Sequence, residues 1–248
     1  MRVKIRIIRV ILLVILVWTN GNDVSAQIAT KAQEVWPSVD VYYRINPKMR
    51  LYGTAAGTKM SESSYTDGAL GVFFDYFGYP VTPVSKWIRQ GHSDSLPGKF
   101  IWFRVGYQYS ATPPSAKDPF KENMFVTEAS NRFYLPWEIL MSVKNRFDWR
   151  VKNGEFNSRY RPRIMLERDL HTEYMFFTVS GFAEYFVNFG NSAVNRFRTQ
   201  LGVEFKVTKH INYEVFWNHQ FANQPEVSEV DAFGMTLKAY LHHRKKNN

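Results

Sequence analysis

Arginines and carboxylates recur on alternate positions at three places in this 248-residue chain. Lys144, Arg146, Asp148 and Arg150 form one row. Arg159, Arg161, Arg163 and Glu167 form a second, and Arg196, Arg198 and Glu204 a third. Arg132 precedes the first row and Glu184 lies between the second and third. A guanidinium and a carboxylate make charge-assisted, often bidentate hydrogen bonds, so such rows can cross-link neighbouring elements. Where Arg outnumbers Glu and Asp, the same rows attract anions. Two readings therefore stand: a charged lattice that fills an enclosed space, and an anion-attracting pore or pocket.

Catalytic chemistry has less to stand on. The six histidines are His92, His171, His210, His219, His242 and His243. His92 is followed by Ser93, Asp94 and Ser95, and His219 could meet Ser228. A nucleophile needs a base and an orienting group in reach, and no spacing here singles out that constellation. The chain has no cysteine, and its only close histidine pair is the adjacent one in the tail, so no metal or other cofactor is expected.

A strand puts successive side chains on opposite faces, and that period positions the charges. Over 137–149, Trp137, Ile139, Met141, Val143, Phe147 and Trp149 share one face, with Asn145 the single polar residue. Glu138, Ser142, Lys144, Arg146 and Asp148 share the other, with Leu140 against the pattern. The charged face is unfit for a dry core and the aromatic face for water. A membrane β-barrel satisfies both, with lipid outside and a polar interior. Eleven strand segments can be read: 34–45, 49–59, 65–77, 100–109, 123–135, 137–149, 159–170, 173–189, 195–207, 210–221 and 230–242. Asn46-Pro47-Lys48, Asn153-Gly154 and Thr208-Lys209 supply turns between them. Bacterial single-chain barrels have even strand numbers, so twelve are predicted, with ten as the alternative. The long connection 78–99, which contains Val84-Ser85-Lys86-Trp87-Ile88, is where a twelfth would hide. The fold class is an all-β, single-domain antiparallel transmembrane barrel.

The ends and composition agree. Arg2, Lys4, Arg6 and Arg9 precede an apolar run too short to span a bilayer, and Val24-Ser25-Ala26 offers a cleavage site. Residues 1–26 therefore read as a signal peptide and 27–248 as the barrel. Cleavage removes four basic residues and one acidic one, so the net charge falls from +10 to +7. A basic chain invites nucleic acid, but here Lys and Arg alternate along strands instead of clustering, apart from Arg244-Lys245-Lys246. Aromatic residues at 17% suit girdles at two membrane interfaces. The expected location is the outer membrane of a Gram-negative bacterium. The expected partners are outer-membrane lipid and the barrel-assembly machinery, with the barrel a monomer. The basic tail from His242 departs from the usual aromatic last residue.

Three stretches carry a family resemblance. They are Asn145-Arg146-Phe147-Asp148-Trp149-Arg150, Arg159-Tyr160-Arg161-Pro162-Arg163, and 195–203 with Asn195-Arg196-Phe197-Arg198 at its head. With the early Trp36 strand, they resemble the outer-membrane barrel family called domain of unknown function twenty-four-ninety, over nearly the whole mature chain. The resemblance implies a fold and a location and no catalytic residue. The function expected is structural, or passage of small solutes or anions through a basic Arg/Glu-lined, porin-like lumen. The rivals are an outer-membrane enzyme acting on lipid and a secreted soluble barrel that binds an apolar ligand.

Overall fold

The computed structural model describes residues 31–60, 66–78, 101–113, 119–173, 175–190, 193–222 and 229–242. The proposed signal peptide, the segment 84–88, His92 and Ser228 lie outside the described residues. Eleven strands form one closed barrel: β1 Lys31–Asn46, β2 Met49–Met60, β3 Thr66–Gly78, β4 Ile101–Ala111, β5 Lys121–Leu135, β6 Ile139–Lys152, β7 Glu155–His171, β8 Phe176–Asn188, β9 Ala193–Lys206, β10 Ile211–Ala222 and β11 Glu229–His242. Each strand pairs antiparallel with its neighbour in sequence, and β1 closes the wall by pairing in parallel with β11.

That closure corrects the expected strand number. The rule of even numbers assumes that the last pair is antiparallel like the others. With eleven up-and-down strands, β1 and β11 run the same way, and a parallel ladder from Lys31↔Glu229 to Arg44↔His242 joins them. The eleven segments read from the sequence are these strands, and neither twelve nor ten is found among the described residues. β3 pairs directly with β4, down to Gly78↔Ile101, so among the described residues no strand stands between them, and the segment 79–100 lies outside the described residues. One rim, called here the near rim, carries the start of β1, and the far rim carries the end of β11.

Turn chemistry sets the hairpins. The Asn46 side chain accepts the Lys48 amide at 2.8 Å. Asn153 and Gly154 both have positive φ, at 51° and 90°, as a two-residue hairpin of this twist requires. The Thr208 hydroxyl accepts the amides of His210 and Ile211. The turn Pro136–Glu138 also corrects the sixth segment. Trp137 and Glu138 have φ of 63° and 60°, so the strand starts at Ile139 and Trp137 projects outward at 77% exposure.

Alternation holds around the barrel. Leu70, Val72 and Leu201 point out at 64%, 66% and 62% exposure, while Asp75, Asp148 and Glu184 point in at 0%. Outward aromatic rings form two belts. Near the first rim, Phe125 touches Trp149, Phe147 touches Tyr160, and Phe197 touches both Tyr185 and Phe221, with centroids 4.7–6.5 Å apart. Towards the far rim, Phe177 meets Phe205 at 6.3 Å and Phe205 pairs with Tyr213. On β8, β9 and β10 the belts are eight residues apart: Tyr185 and Phe177, Phe197 and Phe205, Phe221 and Tyr213. At about 3.3 Å per residue and a tilt near 40°, that is about 20 Å along the barrel axis. Asn145, the polar exception on the outer face, accepts a hydrogen bond from Tyr160 Oη at 2.5 Å.

Inside, glycines let rings lie flat against the wall. A Cβ on Gly234 would fall 1.9 Å from the Phe216 ring, and one on Gly106 would fall 2.4 Å from Phe73.

Candidate functional site

The candidate site is the lumen, and its densest part is built by β6 to β9. Cross-strand register places Arg146 opposite Arg161 and Lys144 opposite Arg163. Like charges directly opposite repel, so this wall holds only if carboxylates intervene. Asp148 and Glu184 do so. Asp148 lies opposite Arg159, which donates to it at 2.7 Å, and it also accepts Arg146 Nε at 2.5 Å. Glu184 lies opposite Arg163 and accepts it at 3.1 Å. Arg161 bridges the two acids, reaching Glu184 at 2.9 Å and Asp148 at 3.5 Å. Both carboxylates are fully shielded from solvent.

Aromatic rings complete the filling. Phe186, buried in the lumen, has the guanidinium carbons of Arg159, Arg161, Arg196 and Arg198 at 5.1, 4.5, 5.5 and 5.0 Å from its centroid. Arg198 also sits 4.9 Å over Trp36 of β1, so its guanidinium lies between two rings from different sides of the barrel. Across the closure, Tyr240, Tyr42, Tyr52 and Phe73 stack one on the next at 4.8–5.3 Å, tying β11, β1, β2 and β3 together. Asp40 accepts the hydroxyls of Tyr42, Tyr52 and Thr54 beneath that stack.

The other charges named from the sequence are dispersed. Lys144 pairs with Glu128 at 3.0 Å, Arg150 with Glu122, and Arg132 with Glu167 at 3.2 Å near the far rim. Glu204 does not join Arg196 and Arg198. It faces the far half of the lumen, where it takes Lys238 at 2.5 Å and the Asn212 amide, and Glu214 takes the same lysine at 2.7 Å. Arg198 donates to Gln220 at 2.6 Å, and neither it nor Arg196 has an ion pair among the described residues.

Sequence reasoning missed a second acid centre. Asp75 binds Arg50 at 2.6 Å and Arg104 at 2.7 Å from the strands on either side. Its signal was one or two charges at inward parity on each of three adjacent strands: Arg50, Asp67 with Asp75, and Arg104. Those strands are otherwise rich in glycine, alanine and aromatics, and a count of charge density passes over them.

A family model described as Protein of unknown function (DUF2490) matches residues 33–231, which takes in β2 to β10 entire, β1 from Gln33 and the first three residues of β11. The chain belongs to the DUF2490 family. No curated protein and no solved structure matches it.

On the outer wall of this DUF2490 barrel, His219 Nδ1 lies 2.6 Å from Asp231, and Lys31 Nζ is also 2.6 Å from that carboxylate. Half of what an enzyme would need is thus in place, an acid that orients an imidazole. Thr199 lies directly across from His219, but its hydroxyl points to the His219 carbonyl oxygen at 3.5 Å and leaves the ring alone. His210 Nδ1 lies 3.1 Å from the Tyr240 carbonyl oxygen. Among the described residues, no group of three or more His, Asp and Glu side chains could hold a metal ion.

Proposed function

We propose that this chain is an outer-membrane β-barrel whose lumen is closed by side chains, so that it serves as a rigid wall-spanning scaffold and not as an open anion pore. The observation that carries the closure is the set of three carboxylates, Asp75, Asp148 and Glu184, at 0% exposure inside the lumen, each held by two or more guanidiniums. A porin-like channel would leave such groups in water. Barrels widen with strand number, and in this eleven-stranded one Arg198 lies between Trp36 of β1 and Phe186 of β8, so long and aromatic side chains reach across the interior.

The membrane location rests on the two aromatic belts and the apolar band between them. Their separation of about 20 Å approaches the apolar height of such barrels, about 25 Å. The outward faces would be costly in water, which argues against the soluble barrel with an apolar interior: here the interior is charged and the outside apolar. Bromine-labelled lipid tests the placement. It should quench the outward Trp149 and Trp217 and spare the inward Trp36 and Trp102. Quenching of the inward pair in single-tryptophan variants would reject it. The closure predicts that liposomes carrying the protein do not swell in small sugars or salts of organic anions, and swelling would reject it.

A further inference from the structure

We propose that the lumen binds a phosphate-type oxyanion beside Phe186, on the side formed by β7 and β9. The inference rests on the closed-lumen reading, because an open channel would bathe these guanidiniums in salt water. Charge imbalance carries it. Seven guanidiniums point into this sector: Arg146, Arg150 and Arg159, Arg161 and Arg163, and Arg196 and Arg198. Four carboxylates answer them among the described residues: Glu122, Asp148, Glu184 and Glu34. Glu34 reaches across from β1 and is already held by Trp36 Nε1 at 2.6 Å. Three positive charges are left over in a space largely shut off from water, where uncompensated charge is expensive.

The excess has an address. Arg196 and Arg198 make no ion pair among the described residues, and both guanidiniums lie within 5.5 Å of the Phe186 centroid. Arg159 and Arg161 lie over the same ring. Arg161 is 8% exposed, and its Nε–H has no partner, nor has the buried Nε–H of Arg150. Arg198 gives Nε and one terminal nitrogen to the neutral Gln220 and so keeps its charge unanswered, and several planar guanidiniums around one centre match a tetrahedral oxyanion, which accepts from more than one of them at once. The pair Arg196 and Arg198 lies towards the near rim, so the ligand would enter there.

The probe is inorganic phosphate, followed by phosphorus-31 line broadening against the protein refolded in nonionic detergent at about 0.15 M sodium chloride. Saturable binding at one phosphate per barrel is expected. Arg198→Gln should weaken it by about tenfold or more, and Arg196→Gln should do the same. Lys209→Gln, in an exposed turn at the far rim, should leave it unchanged. Heat-modifiable migration on gels confirms that each variant is folded. A lipid headgroup carries the same phosphate, so phosphatidylglycerol is titrated in parallel. Binding of the lipid alone would place the anion on the outer wall and overturn the lumen site. So would a titration that never saturates, or equal binding by Arg198→Gln. A closed barrel that binds no phosphate removes this site alone, and a conducting barrel that binds it removes the closure alone.

Discussion

Glu184→Gln changes one atom and one charge at the centre of the lattice. The carboxylate has no exposed surface, and it accepts Arg161 at 2.9 Å and Arg163 through two contacts at 3.1 and 3.2 Å. The glutamine keeps the shape but turns one acceptor into a donor that faces guanidinium N–H groups. Each charge-assisted bond contributes about 1.5–3 kcal/mol, and they share one acceptor, so their losses do not add. Breaking a buried pair by removing one partner costs about 3–5 kcal/mol, and the structure places Glu184 in that class. With a urea slope of about 3 kcal/mol per molar, the unfolding midpoint in detergent should fall by about 1–1.7 M. Tryptophan fluorescence reads the transition. Asp231→Asn is the internal comparison. Its pairs with Lys31 and His219 lie on the outer surface, so it should cost at most about 1 kcal/mol. If Glu184→Gln cost no more than Asp231→Asn, water would be reaching Glu184 and the lumen would not be filled as described.

Other substitutions test the packing. Gly234→Ala drives a methyl group to 1.9 Å from the Phe216 ring and should cost about 1–3 kcal/mol, whereas Gly190→Ala meets nothing within 4 Å and should be near neutral by the same urea titration. Gly154→Ala meets open space too, but its φ of 90° is strained for alanine, so it should slow refolding of the β6–β7 hairpin and cost about 1 kcal/mol. Tyr160→Phe strands the outward Asn145 amide and should cost about 1–2 kcal/mol, and adding Asn145→Leu should recover most of it in a double-mutant cycle.

The strand rhythm was legible because alternation is a local property. All eleven segments emerged from it, most to within two residues. The strand number was not legible, because closure joins β1 to β11 across the whole chain and no local pattern says whether that ladder is parallel. Trp137 shows a smaller limit: its side-chain type continues the alternation, but Pro136 and two positive φ values turn the backbone there. At the site, the Arg146, Asp148, Arg159, Arg161, Arg163 and Glu184 cluster could be read from density and parity. The grouping of Glu204 with Arg196 and Arg198 failed because those arginines sit six and eight residues away along one strand, at the other end of the lumen. The Arg50–Asp75–Arg104 bridge went unseen because its members stand on strands with few charges and form no row of their own. It exists only in the register of β2 with β3 and β3 with β4.

The closed lumen is tested most directly by planar-bilayer recording of the purified barrel at both polarities. The account predicts no current above that of the bare bilayer, because Phe186, Arg198 and Trp36 meet across the interior. Stepwise openings at modest voltage, with anion selectivity that Arg196 and Arg198 substitutions reduce, would contradict it.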